Sequence, residues 1–277
     1  MRRTRALYIS TTAAIALAAL TACSGSTAKT ASDAASKSVS GAKSAVLSVA
    51  DALSLTTKKT STFTSAKMNM TMVMPKVGTT TMTGTVSHNP VALDATLTNP
   101  QLADGMHLLM SGTTEYVNMG AAGAKEFGGK HWLKIDFSKL GAVGKALADS
   151  VNKSNSQDPA TSVKLLTASG DVKRVGTETV DGVSTTRYSG TVDLKKLASS
   201  DPDLKTIADQ AAKTGMTTEK VDMWVNDQSL PVKFHESATT SQGPMDITID
   251  YSGFSNTPVT ITVPPASDTE DLASLTK

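Results

Sequence analysis

Apolar and polar residues alternate along most of the chain beyond residue 60, with the period of two that is typical of a half-buried β-strand. In residues 62–74 the alternation places four methionines on one face, Met68, Met70, Met72 and Met74. The same pattern predicts further strands over residues 79–87, 91–98, 105–111, 113–119, 131–137, 171–180, 183–192, 217–226, 229–238, 245–254 and 259–263. Asp181-Gly182 is a strong hairpin signal between two of these strands.

Helical spacing replaces the alternation in four places. Residues 39–59 carry an apolar stripe that predicts an amphipathic helix, formed by Val46, Val49, Ala50 and Leu53. Start signals for three further helices stand at Ser138, Asp158-Pro159 and Asp201-Pro202. Strands and helices do not alternate as βαβ units, so the sheet should be largely antiparallel. The predicted fold class is therefore α+β.

The first 22 residues have the composition of a secretory signal peptide, because Arg2, Arg3 and Arg5 precede an apolar run over residues 6–20. The run ends in Leu20-Thr21-Ala22-Cys23, which resembles the bacterial lipobox. The resemblance implies cleavage before Cys23 and attachment of diacylglycerol to the Cys23 sulfur. An ordinary signal peptide with an incidental cysteine is the alternative. A lipidated Cys23 would place the chain on the extracytoplasmic face of the cell membrane, held by a two-chain anchor.

Beyond the signal peptide, composition divides the chain into three parts. Residues 23–38 are small and polar, so we expect a lipidated, flexible tether there. A single domain is expected over residues 39–265, followed by a polar, frayed tail over residues 266–277. The net charge of +2, from 27 Lys and Arg against 25 Asp and Glu, gives no reason to expect nucleic acid as a partner.

Signals for catalysis and metal binding are weak. The single cysteine excludes a disulfide framework and any multi-cysteine metal site. No two histidines stand at the spacing of a helical metal pair, and the four are His88, His107, His131 and His235. The chain has neither a His-Glu-x-x-His nor a Gly-x-Ser-x-Gly motif. The glycine-rich residues 120–129 indicate a flexible loop. Together, these weak signals lead us to expect no enzymatic activity, no cofactor and no metal.

Three segments resemble lipid-carrier lipoproteins of the LppX and LprG type, within the LolA/LolB-like superfamily. They are residues 221–237 (VDMWVNDQSLPVKFHES), 246–265 (DITIDYSGFSNTPVTITVPP) and 130–140 (KHWLKIDFSKL). The order of elements resembles that of this family over nearly all of residues 39–265. The resemblance implies a half-barrel, in which a strongly curved antiparallel sheet holds helices on its concave face. It also implies an apolar cavity that takes acyl chains.

Methionine suits the lining of such a cavity, because its side chain is flexible and polarisable. Eight of the twelve methionines lie between Met68 and Met119. The candidate cavity residues are Met68, Met70, Met72, Met74, Met82, Leu93, Leu97, Met110 and Met119. Ordinary packing in the core of the sheet is the alternative for each of them.

Two classes of function remain open. In the first, the chain binds or transfers acylated lipids or glycolipids in an apolar cavity. In the second, the same fold has a filled cavity and serves as an envelope protein-interaction or sensor module with a protein partner. Lys125, Lys130 and Lys134 stand close together in the sequence and would either contact anionic lipid head groups or be ordinary solubilising charges.

Overall fold

The computed structural model describes residues 47–88, 90–141, 166, 171–197 and 212–275. The signal peptide, Cys23 and the tether of residues 23–38 lie outside the described residues. So do most of the helices predicted to follow Ser138, Asp158 and Asp201, which fall in residues 142–165 and 198–211. These expectations therefore stay predictions.

A single sheet contains the twelve strands that the described residues form. They are β1 Ser65–Met74, β2 Gly78–His88, β3 Val91–Asn99, β4 Leu102–Ser111, β5 Thr114–Asn118, β6 Trp132–Asp136, β7 Lys173–Val180, β8 Val183–Asp193, β9 Thr218–Asn226, β10 Pro231–Thr240, β11 Gly243–Ser255 and β12 Thr269–Asp271. The spatial order is β12-β6-β5-β4-β3-β2-β1-β11-β10-β9-β8-β7. The sheet is open, because its two edge strands, β12 and β7, do not pair with each other.

The sheet consists of two meanders that meet at one seam. Strands β1 to β6 pair with their neighbours in sequence, and so do strands β7 to β11. The seam is the antiparallel pairing of β1 with β11, in which Met70 lies opposite Ile249. Every pairing is antiparallel except that of β12 with β6. The predictions of an α+β chain and of a largely antiparallel sheet are thus confirmed.

The predicted last strand over residues 259–263 is wrong, since no strand forms there. Pro258 and Pro264-Pro265 flank this segment, and proline lacks the N–H that a ladder requires. An extended, unpaired chain shows the same alternation of apolar and polar residues as a strand, and Val263 is 58% exposed.

The C-terminal segment, expected to be frayed, is ordered through residue 275. Strand β12 pairs parallel to β6, with Thr269 opposite Trp132. The Nζ of Lys130 donates to Oε2 of Glu270 at 2.6 Å, and the backbone N–H of His131 donates to Oδ1 of Asp268 at 2.9 Å. These contacts attach the segment to the edge of β6.

Four helices and two 3-10 turns accompany the sheet in the described residues. The helices are α1 Val49–Thr60, α2 Gly120–Glu126, α3 Leu194–Leu197 and α4 Leu272–Leu275, and the turns are Phe137–Lys139 and Ala266–Asp268. No helix within the described ranges is long and apolar enough to cross a membrane. Helix α2 occupies part of the predicted glycine loop, because Gly123 has no side chain to collide with Met119.

Helix α1 lies within the predicted helix of residues 39–59, whose first part falls outside the described residues. Ser48 caps α1 by accepting a hydrogen bond from the backbone N–H of Asp51 at 3.1 Å. Leu53, on one side of the helix, is buried in the same apolar cluster as Tyr188 and Met223 of the sheet. Helix α1 therefore packs on the face of the sheet that Tyr188 and Met223 occupy.

Candidate functional site

One face of the sheet is apolar from β6 to β8, and we call it the apolar face. The strand register places Met70 beside Met82 and Ile249, which lie on β2 and β11. The same row continues from Ile249 through Phe234 and Met223 to Tyr188. The other side, the polar face, carries the alternate residues of each strand. Most are charged or hydroxyl-bearing, as the period of two predicts.

Most of the predicted cavity residues pack into one cluster on this face. Six of them are 0–5% exposed within it, namely Met68, Met70, Met82, Leu93, Leu97 and Met110. Met72 is equally buried on the same face, and Met119 is half-buried against the cluster. Met74, at the end of β1, is half-buried. The sequence pattern thus placed these residues on a common face, and their role as cavity lining stays a prediction.

A second cluster continues the apolar face over β8 and β9. It consists of Leu53, Leu166, Tyr188, Val192, Leu194, Val221, Met223 and Val225. Phe234 packs against both clusters and so joins them. The sequence analysis did not include this half of the face among its candidates. The sequence contains a pattern that predicts this half of the face, because residues 221, 223 and 225 occupy alternate positions, as the methionines of β1 do.

Burial of these side chains is the main contribution of the apolar face to the free energy of folding. A fully buried methionine or leucine side chain contributes about 1.5–3 kcal/mol to folding. The same chemistry suits an acyl chain, which needs apolar contact and no catalytic group. Methionine side chains have three rotatable bonds and can repack around an irregular ligand.

One carboxyl group interrupts the apolar face on β5. Glu115 is only 6% exposed and lies opposite Met110 of β4 and Ile135 of β6. No described residue forms a hydrogen bond with its Oε2 atom. Burial raises the pKa of Glu115 from the ordinary 4.5 to about 7.

Two further carboxyl groups lie on the same face, on β9 and β10. Glu236 stands opposite Val221 and Ile247, and Glu219 is paired with Ala238. Burial raises the pKa of Glu219 and, together with the nearby charge of Glu219, raises the pKa of Glu236 well above its usual range. A hydrogen bond links the two side chains, so the protonated Glu236 donates to Glu219 and satisfies it.

None of these three carboxyl groups is among the site residues predicted from the sequence. Their positions in the sequence could have identified them, because each glutamate stands two residues from an apolar residue of the same face. Glu115 precedes Val117 by two positions, and Glu236 follows Phe234 by two. A charged residue in an otherwise apolar set of alternate positions is informative, since such groups are rarely buried without a partner.

The polar face carries an ion-pair network centred on Asp222, which is 1% exposed. Arg187 donates to Oδ1 of Asp222 through Nε and Nη2, at 3.0 and 2.9 Å. Burial opposes ionisation of Asp222, but hydrogen bonds from Ser189 and Arg187 outweigh it and lower its pKa. The Arg187 guanidinium also lies 4.9 Å from the centre of the Trp224 ring. This network connects β8 with β9.

The histidines with described side chains are engaged by carboxylates. His235 Nε2 lies 2.8 Å from Oδ2 of Asp246, and its Nδ1 lies 3.7 Å from Oδ2 of Asp222. His107 and His131 are within 2.8 Å of Asp94 and Asp268. Among the described residues, no group of three or more His, Cys, Asp or Glu side chains could hold a metal ion.

Two of the three lysines predicted to form a basic cluster are neutralised by the C-terminal segment. Lys130 pairs with Glu270, and Lys134 lies 3.5 Å from Asp271. Lys125 is exposed on α2. Because Glu270 and Asp271 carry the opposite charge, the cluster has little net charge. The pairing therefore favours ordinary surface charges over a site for anionic lipid head groups.

Comparison with known proteins gives relatives in sequence and in structure. A Streptomyces coelicolor protein named "Putative lipoprotein SCO4650" is 30% identical over 298 residues, covering 98% of this chain and 96% of the relative. An uncharacterized 31.2 kDa protein of Streptomyces griseus is 40% identical over 171 residues, or 58% of this chain. The match spans 55% of the Streptomyces griseus protein. No family model matches the chain.

One of the structural relatives is the lipoprotein LppX of Mycobacterium tuberculosis. Its crystal structure superposes with a TM-score of 0.51 and 19% sequence identity, covering 77% of this chain and 97% of LppX. At this identity the likeness concerns the fold.

Proposed function

Because this chain belongs to the lipoprotein family of the Streptomyces coelicolor protein SCO4650 and has an LppX/LprG-like fold, we propose that it binds acylated lipids on the apolar face of its sheet. Lipidated Cys23 would hold it on the extracytoplasmic face of the cell membrane. The observation that carries the proposal is the apolar face itself, whose two clusters span β6 to β8 and are joined by the shared contact of Phe234.

Apolar contact alone supplies enough free energy to bind an acyl chain, without any polar contact. Each methylene group removed from water contributes about 0.8 kcal/mol, so a sixteen-carbon chain contributes roughly 12 kcal/mol before association costs are subtracted. A lining rich in methionine can adjust to chains that differ in length or unsaturation. The resemblance to the LppX and LprG type supports glycolipids as well as simple acylglycerols as ligands.

The tether would keep the carrier close to the membrane from which it takes its ligand. About fifteen flexible residues have a root-mean-square reach of roughly 20 Å. The apolar face could then receive an acyl chain from the outer leaflet and pass it to an envelope partner. No nucleophile or cofactor has a part in this mechanism, since extraction and release break no covalent bond.

The test compares tryptophan substitutions on the two faces of the sheet. Met70→Trp and Leu93→Trp place a bulky ring on the apolar face, and Val73→Trp places the same ring on the opposite side of β1, where Val73 is 42% exposed. The full chain of each variant is purified from membranes in mild detergent. Native mass spectrometry then measures bound lipid, and circular dichroism measures folding.

We expect the parent chain and Val73→Trp to carry about one acylated lipid each, and the other two variants to be folded but largely empty. If the parent chain carries no lipid and takes up none, and if Met70→Trp unfolds it, then the apolar face is a filled core. That result would replace the carrier with the protein-interaction module.

A further inference from the structure

Among the described residues, Glu115 differs from the other buried acids in having neither a hydrogen bond nor an ion pair. The two other buried carboxylate oxygens without a hydrogen bond, Asp222 Oδ2 and Asp250 Oδ1, lie 3.4 and 3.7 Å from the Nζ atoms of Lys220 and Lys233. Glu219 and Glu236 are hydrogen-bonded to each other. Asp222 on the polar face is paired with Arg187. Glu115 lies on the apolar face between Met110 and Ile135, and its Oε2 has no hydrogen-bond partner among the described residues.

A buried carboxyl group without a hydrogen-bond partner destabilises the folded protein. A buried donor or acceptor without a partner loses its hydration and gains nothing in return, whereas an apolar side chain of similar shape would be neutral or stabilising. The cost disappears if a ligand on the same face supplies the missing partner.

We propose that Glu115 is the hydrogen-bond partner of a free hydroxyl group on the bound lipid. The chain would then prefer acylated lipids that keep an unesterified hydroxyl, as diacylglycerols do, over fully esterified or anionic lipids. This inference rests on the proposed function and names the class of lipid that the apolar face takes.

A hydroxyl group fits Glu115 better than the other polar groups of a lipid. It both donates and accepts, so it satisfies the carboxylate and the carboxylic acid alike. An ester carbonyl only accepts, and it therefore suits the acid form alone. Burial brings the pKa of Glu115 to about 7, so both forms exist near neutral pH.

Charge disfavours a phosphate group beside Glu115. On the described strands β1 to β6, no Lys or Arg stands at a position of the apolar face. Bringing a phosphate beside Glu115 would bury two groups of like charge, and no Lys or Arg on the apolar face of these strands would balance them. A lipid phosphate therefore binds more weakly than a hydroxyl at the same place.

The experiment uses three competitors with the same acyl chains, which are dioleoylglycerol, trioleoylglycerol and dioleoyl phosphatidic acid. The full chain is reconstituted in phosphatidylcholine vesicles with a photoactivatable diacylglycerol. Covalent labelling is read by intact mass as each unlabelled competitor is added. The variants are Glu115→Met, Glu115→Gln and, as the control, Glu126→Gln on the exposed surface of α2.

We expect dioleoylglycerol to compete about tenfold more strongly than the other two lipids against the parent chain, which is the range of one buried hydrogen bond. Glu115→Met should abolish this preference by weakening dioleoylglycerol alone. Glu115→Gln, which still donates and accepts, should retain it, and Glu126→Gln should match the parent chain.

Two results would overturn the inference. One is a parent chain that binds the three lipids equally, and the other is a Glu115→Met variant that keeps the preference. If no lipid competes against the parent chain, labelling is not saturable, and it is the proposed lipid-binding function that fails. Should Glu115→Met not fold, the ranking of the three lipids by the parent chain still decides the question.

Discussion

Glu115 makes the stability of the fold depend on pH. The folded protein holds a proton on this carboxyl group up to about pH 7, whereas the unfolded chain releases it near the ordinary pKa of 4.5. The folded state therefore binds more protons between these two values, and the free energy of unfolding falls as the pH rises through this window. The stabilising contribution is complete below about pH 4.5 and is lost above about pH 7.

The Glu115→Gln variant should lack this part of the pH dependence. A shift of this size corresponds to roughly 3 kcal/mol, so the variant should gain stability relative to the parent chain as the pH rises from about 4.5 to about 7. Urea unfolding across this range measures the difference. Glu219 and Glu236 are present in both proteins, so their contributions to the pH dependence cancel in the difference. Parallel stability profiles for the two proteins would show that Glu115 ionises normally.

Sequence periodicity predicted the positions of single residues better than their roles. It placed Met70 and Leu93 on one face of the sheet, because alternate residues of a strand point the same way. The same rule assigns Glu115 to this face. What the rule could not supply is the burial of Glu115, which depends on contacts with Met110 and Ile135 from other strands.

Among the strands, errors arose where pairing depends on residues far away in sequence. Residues 259–263 have the alternation of a strand, but they have no partner and are bounded by prolines. Strand β12 is only three residues long and has no alternation to detect. It exists because β6 has a free edge and because Asp268 and Glu270 meet His131 and Lys130.

Asp268 should control how firmly the C-terminal segment is attached. Asp268→Ala removes the hydrogen bonds that its carboxylate accepts from the backbone and ring of His131. We expect several-fold faster hydrogen exchange of residues 269–275, with little change in the melting temperature of the sheet. Asp227→Ala, at an exposed turn, is the control. Unchanged exchange in Asp268→Ala would mean that the backbone pairing of β12 with β6 is sufficient.

For the molecule as a whole, the sequence predicted the α+β class and the largely antiparallel sheet. These follow from local alternation and from the absence of βαβ units, both of which are visible in one sequence. The seam between β1 and β11 could not be predicted in the same way. It joins residues near the two ends of the domain, and no local pattern records which distant strands will pair.

Membrane attachment can be tested independently of the fold. Cys23→Ala removes the only cysteine, and with it the sulfur to which diacylglycerol would be attached. We expect this variant to leave the membrane fraction, whereas Ser24→Ala should remain there. Fractionation of cells followed by detection of the chain provides the measurement. A Cys23→Ala protein that stays in the membrane fraction would count against the lipobox interpretation.

The seam between the two meanders also sets an order of assembly. Strands β1 to β6 pair with one another in sequence order, so this half can form hairpins as soon as it has been synthesised. The pairing of β1 with β11, and then of β6 with β12, must wait until the end of the chain has emerged. Until then β1 and β6 are open edges, and the methionines of the apolar face lie between them. A newly made chain is therefore most vulnerable to aggregation just before its last strands have formed.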